Sequence, residues 1–104
     1  MSNPITVLDC EFESSTSSAS VDLGGRTLVG VQSPSGIGSA TTYTIKNSDD
    51  NSTFVNSNAY NGEALAVSTY YSIEPALSAG FKYVQLLLDS SESITFKLYV
   101  RDAD

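Results

Sequence analysis

Histidine and tryptophan are both missing from this 104-residue chain, and there is one cysteine, Cys10. Without histidine the chain lacks the commonest general base, the commonest zinc ligand and the usual partner of a Ser or Cys nucleophile. A lone cysteine excludes a disulfide framework and a thiolate metal cage within the chain. Positive charge is also scarce: Arg26, Lys46, Lys82, Lys97 and Arg101 stand against 12 acidic residues, for a net charge of −7. Such a surface repels phosphate, so nucleic acid is not an expected partner. Long apolar runs are absent too. Runs such as Leu86-Leu87-Leu88 fall far short of the roughly 20 residues of a membrane-spanning helix. The opening residues carry neither a basic segment nor a long apolar one, so no signal peptide is expected and synthesis is expected in the cytoplasm.

What is present points to strands. Ser, Thr and Asn make up 33 of the 104 residues and are interleaved with Val, Ile, Tyr and Phe. Ser and Asn compete for local backbone hydrogen bonds and β-branched residues lose rotamer freedom in helices, so the composition disfavours long helices. A chain of this length forms one small domain, here residues 1–104. Residues 94–100 alternate cleanly, with Ile94, Phe96, Leu98 and Val100 on one face and Thr95, Lys97 and Tyr99 on the other. Residues 81–88 form another strand, with Val84, Leu86 and Leu88 opposed to Tyr83, Gln85 and Leu87. The short polar connection Asp89-Ser90-Ser91-Glu92 predicts that these two strands pair as a hairpin. Leu87 makes its strand apolar on both sides, which places it centrally or against a neighbouring subunit.

Residues 5–13 alternate as well, with Ile5, Val7, Cys10 and Phe12 expected inward and a bulge near Leu8. The serine-rich residues 14–20 read as a mobile loop. Gly24-Gly25 supplies a turn with positive φ before a strand over residues 28–31. Residues 33–38 read as an exposed loop, residues 40–46 as a strand with Tyr43 and Ile45 on one face, and residues 47–51 as a turn. Phe54 and Val55 belong to the returning strand, Asn61-Gly62 to a second turn, and residues 64–67 and 70–73 to short extended pieces. Pro75 starts a single helical turn that Gly80 ends. The expected fold is all-β: a small two-layer antiparallel β-sandwich, jelly-roll-like, with seven to nine short strands and one short helical turn near Pro75. A closed barrel is the alternative.

Catalytic signatures are lacking. Asp49-Asp50-Asn51 with Glu63 offers oxygen donors for Ca²⁺ but lacks the glycine and bidentate glutamate of a calcium loop, and reads as an Asx turn. Gly36-Ile37-Gly38-Ser39 lacks the lysine and helix of a phosphate-binding loop. Cys10 fits a buried, inert position. No catalytic residue, metal ligand or cofactor site is expected, and the chain is not expected to be an enzyme. The tyrosines are the richer signal. Tyr43, Tyr60, Tyr70, Tyr71, Tyr83 and Tyr99 suit a core edge, a protein interface or a sugar-stacking surface.

Four phrases carry a family likeness: Val21-Asp22-Leu23-Gly24-Gly25-Arg26-Thr27-Leu28-Val29-Gly30-Val31-Gln32-Ser33-Pro34, Ser48-Asp49-Asp50-Asn51-Ser52-Thr53-Phe54, Ile73-Glu74-Pro75-Ala76-Leu77 and Gly80-Phe81-Lys82-Tyr83-Val84. Over about residues 21–88 the chain resembles small virion proteins of tailed bacteriophages, similar in role to capsid cement or decoration proteins. That resemblance implies a non-enzymatic β-sandwich, often trimeric, that binds the outside of the major capsid lattice and stabilises the head against internal DNA pressure. It implies the major capsid protein and further copies of the chain as partners, with no membrane partner, and the outer virion surface as its location. The interface expected from the residues comprises Pro4, Ile5, Val7, Leu8, Phe12, Tyr70, Tyr71 and Leu87, with residues 1–20 as an arm that contacts neighbours. The same β-rich phrases also resemble discoidin-like sugar-binding modules, although the Trp usual in these is lacking. The alternatives are therefore a carbohydrate-binding or host-recognition module of a phage tail and a minor head or tail completion protein.

Overall fold

The computed structural model describes residues 5–77 and 81–102, so Pro4 and Gly80 lie outside the described residues. Ten strands occur among them: β1 (Ile5–Glu11), β2 (Ser15–Ser17), β3 (Val21–Asp22), β4 (Arg26–Gln32), β5 (Thr42–Ser48), β6 (Val55–Asn56), β7 (Glu63–Ala64), β8 (Tyr70–Ser72), β9 (Tyr83–Glu92) and β10 (Thr95–Asp102). The expected helical turn is present as one 3-10 turn over Pro75–Leu77. The strands form two antiparallel sheets. One has the order β1-β10-β4-β8; the other runs β2-β9-β5-β6, with β3 also pairing β9 and β7 also pairing β5. The all-β sandwich is thus what the chain adopts, with more strands than expected because several are only two or three residues long.

The core lies between the sheets and is built by period-two alternation. Val84, Leu86 and Leu88 of β9 are buried on one side, and Phe96, Leu98 and Val100 of β10 on the other. Leu28 and Val31 of β4, Cys10 of β1 and Ile45 of β5 complete it. Phe12 packs on Phe96 with ring centroids 5.6 Å apart. Each fully buried aliphatic side chain here contributes about 1.5–3 kcal/mol of transfer free energy. Leu28 and Val31 are three residues apart yet both point inward. Opposite them the register slips between Tyr99 and Val100, so that Gly30 pairs with Tyr99 and Leu28 with Val100. This bulge resets the phase of β4.

The strand pairing differs from expectation at four places. β9 and β10 do not form a hairpin: they lie in different sheets, and β9 continues through Asp89 to Glu92 before the chain crosses over. Their two apolar faces meet across the core instead of lying side by side: the polar residues 89–92 extend β9, and only Ser93 and Ile94 carry the chain across. The serine-rich segment is not a loose loop. Ser15–Ser17 forms β2, and the buried Ser18 hydroxyl donates to the Ala19 carbonyl and accepts from the Leu86 amide, at 2.9 and 3.0 Å.

The phase of β1 is the opposite of that expected at its start. Ile5 and Val7 point outward, 47% and 48% exposed, whereas Leu8 packs against the core and Cys10 and Phe12 are buried within it. The pairing of β1 with β10 runs without a slip from Ile5 opposite Arg101 to Glu11 opposite Thr95, so no bulge is needed at Leu8. Finally, β5 runs through Asn47 to Ser48, and the turn starts only at Asp49. Gly24 and Gly25 do adopt positive φ, 64° and 76°, as the turn before β4 requires.

Two crossings between the sheets sit together at one end. The chain leaves the first sheet after Glu11 and returns to it after Glu92. Phe12 donates its amide to the Ile94 carbonyl at 2.8 Å, and Ser14, in the left-handed region at φ 48°, donates its amide to the Ser93 hydroxyl at 2.9 Å.

Candidate functional site

Because odd-numbered residues of β1 and β10 point away from the core, the outer face of the first sheet collects Ile5, Val7, Tyr99 and Arg101. Ile5 lies opposite Arg101, Val7 opposite Tyr99 and Asp9 opposite Lys97. Across the next seam Tyr99 faces Gly30, and beyond it β8 contributes Tyr70. Tyr70 is 52% exposed, and its hydroxyl donates to the Val29 carbonyl at 3.4 Å. Its ring lies over Gly30: a Cβ built there would fall inside the phenol. Tyr70 and Tyr99 meet edge to face, with centroids 5.3 Å apart and planes at 75°. The Tyr99 hydroxyl donates to Gln32 Oε1 at 2.7 Å, which fixes the ring.

Beside these rings a shallow groove of about 550 Å³ is lined by Ile5, Val29, Tyr70, Pro75, Tyr99 and Arg101, among others. Two amphipathic rings, exposed aliphatic side chains and a single guanidinium on an acidic protein are the composition of a protein-docking or sugar-stacking surface. The flanking Lys97 and Asp9 form an ion pair at 2.7 Å. The Asp9 carboxylate raises the Lys97 ammonium above its usual pKa. Both groups are half exposed, so the pair adds orientation more than stability.

Of the residues expected at an interface, Ile5, Val7 and Tyr70 come together on this face. Leu8 and Phe12 point the other way, into or against the core. Tyr71 turns inward to Tyr43, with centroids 4.9 Å apart, and its hydroxyl accepts the Ala66 amide at 2.7 Å. Leu87 lies half-buried on the outer face of the second sheet, in a strand flanked by β2 and β5, so its central placement accounts for its double-sided apolarity. Residues 5–17 are integrated into both sheets through β1 and β2. Gly30, Tyr99 and Arg101 were not singled out from the sequence as parts of one surface. Alternation assigns Tyr99 to the wetter face, but which strands flank it is a tertiary fact.

Other polar clusters are internal clamps. Glu92 accepts amides of Gly38, Ser39 and Ala40 at 3.0, 2.8 and 2.8 Å, so the glycine-containing loop wraps a carboxylate of its own chain. Asp89 accepts the Thr41 hydroxyl at 2.6 Å and the Thr41 and Thr42 amides at 2.8 and 3.2 Å. These bonds, the Thr41 hydroxyl foremost, bring the Asp89 pKa down to about 2, and the Ala40 and Gly38 amides lower that of Glu92. Asp50 accepts amides of Ser52 and Thr53, both at 2.9 Å, as an Asx turn does, and its pKa falls accordingly. Among the described residues no group of three His, Cys, Asp or Glu side chains is placed to hold a metal ion. Burial pushes the Cys10 thiol up to about 11.

No protein-family model and no curated protein matches the chain. A solved structure does. The crystal structure of the SPBc2 prophage-derived protein YomS is similar to this chain with a TM-score of 0.61, covering 95% of this chain and 96% of that one at 18% sequence identity. The likeness is one of fold.

Proposed function

We propose that the chain is a non-enzymatic structural protein of a tailed-phage particle, a capsid cement or decoration protein that seats the outer face of its first sheet on the major capsid protein. The observation that carries this reading is the apolar and aromatic stripe in which Ile5, Val7 and Tyr70 are about half exposed around the half-buried Tyr99. Apolar side chains exposed side by side mark interaction surfaces, whereas scattered ones do not. The prophage origin of YomS, which shares the fold, supports a phage setting, and the virion-protein resemblance of residues 21–88 supports the cement role, the outer capsid surface as location and a homo-oligomer, a trimer by that resemblance. Many copies on one lattice make modest affinity per contact sufficient.

Cosedimentation with capsids that lack the protein tests it. The wild-type chain is expected to pellet with them, and Tyr70→Ala to weaken binding by about tenfold or more while remaining folded. A chain that ignores capsids of the phage that encodes it overturns the reading. A sugar-binding module of a phage tail is the second reading, favoured by the half-exposed Tyr70 ring at the rim of the groove. Binding to a glycan array that is lost in Tyr70→Ala selects it. A minor head or tail completion protein differs from both in its copy number per virion.

A further inference from the structure

The first sheet ends in an open edge. β1 is its terminal strand and pairs only with β10 among the described residues. Phe12 donates its amide to Ile94 in register with the strand, which makes the even residues of β1 the ones hydrogen-bonded to β10. The backbone groups of Ile5, Val7 and Asp9 therefore point away from β10. Glu11 points the same way, and its carbonyl is already taken by the Ala19 amide at 2.9 Å. At the other end Pro4 has no amide hydrogen to offer. What is left is a three-residue window of donors and acceptors with no partner among the described residues.

Proteins that keep such an edge single protect it with lysine, proline or a bulge. Within Ile5–Glu11 there is no lysine and no proline, and the register with β10 is unbroken. We propose that β1 pairs antiparallel with β1 of a second copy about a two-fold axis through Val7. Only this register employs all three free residues of both copies: Val7 lies opposite Val7 of the second copy, and Ile5 opposite Asp9 in both directions. The pairing adds about six hydrogen bonds, two per pair.

Side chains favour the same register. An axis through Asp9 would set two carboxylates face to face, which is unfavourable across strands. With the axis at Val7, the row across four strands reads Lys97, Asp9, then Ile5 and Arg101 of the second copy, alternating charge with an aliphatic side chain between. The neighbouring row reads Tyr99, Val7, Val7, Tyr99, and joins the two aromatic stripes into one. The exposed halves of Ile5 and Val7 gain a neighbour. A window this short makes a weak, concentration-dependent dimer.

This inference does not rest on the capsid reading or on the trimer that goes with it: a mass that settles at three copies counts against it, and its test uses no capsid. Light scattering of the wild-type chain over a concentration series is expected to show the mass rising from 11.0 kDa towards twice that value. Hydrogen exchange at the Val7 amide is expected to slow by about tenfold or more between dilute and concentrated samples. Val7→Pro removes an amide that β10 does not use, at an edge position that tolerates proline, and is expected to leave a folded monomer. Arg101→Glu, which reverses the charge that Ile5 separates from Asp9 of the other copy, acts at about two strand spacings and is expected to weaken the dimer only about twofold, without touching the edge. A chain that stays monomeric at every concentration, a dimer that survives Val7→Pro, or a Val7 amide that exchanges at one rate throughout overturns the proposal. Failure of capsid binding with the dimer intact overturns only the cement reading.

Discussion

The phenol of Tyr70 occupies the space that a side chain at Gly30 would need. The glycine is thus a seat for the ring, and the ring in turn meets Tyr99 edge to face. Gly30→Ala is expected to lift Tyr70 off the sheet and to cost about 0.5–1.5 kcal/mol through the lost ring contact. The check is a thermal melt together with loss of the nuclear Overhauser contacts between the two rings. Contacts between β4 and β10 should persist.

Acid sensitivity follows from the carboxylate clamps. Asp89 titrates at about 2 in the folded chain, with Asp50 and Glu92 also lowered, whereas unfolded carboxylates titrate near 4. A lowered folded-state pKa means that the unfolded chain binds protons first, so stability is fully present above about pH 4 and is lost as pH falls towards 2. Urea midpoints measured from pH 7 to pH 2 should be flat and then decline through that window. Asp89→Asn should make the decline shallower.

Placement across the core, and not hydrophobicity alone, sets the cost of truncation. Phe96→Ala is expected to destabilise the chain by about 3–5 kcal/mol because it empties the centre of the sandwich, where Phe12 also packs. Leu87→Ala, on the outer face, should cost well under half of that. Denaturant unfolding of the two variants measures the difference, and equal losses would contradict the assigned faces.

Cys10 should behave as a reporter of unfolding. Its thiol is buried and raised to about 11, so at pH 8 it is protonated and shielded. Ellman's reagent is expected to react with it only as fast as the protein opens, and at once in denaturant.

Alternation and composition revealed the fold class, both long strands and the inward face of β10, where Phe96, Leu98 and Val100 leave no other phase; in β9, Leu87 kept both faces apolar. The pairing of those strands was not legible. The polar residues 89–92 read locally as a turn although they continue β9, and the decisive contacts, Ile94 with Phe12 and Ser93 with Ser14, join residues far apart in sequence. At Ile5 to Phe12 apolar residues occupy both phases, so local pattern could not rank them; packing put Leu8, Cys10 and Phe12 inward. The expected interface captured Ile5, Val7 and Tyr70. Arg101 was missing from it, and Tyr99, one of six candidate tyrosines, could not be told from the rest; both become neighbours of Ile5 and Val7 only through the pairing of β1 with β10.

β10 is the seam between β1 and β4, although the three stand at opposite ends of the sequence. During synthesis the opening strand has nothing to join until residues up to Arg101 have left the ribosome. For most of translation its aliphatic side chains are bare, and the first sheet can close only after β10 emerges. A stop codon before Thr95 would remove more than one strand: β1 would lose the sheet partner it has among the described residues.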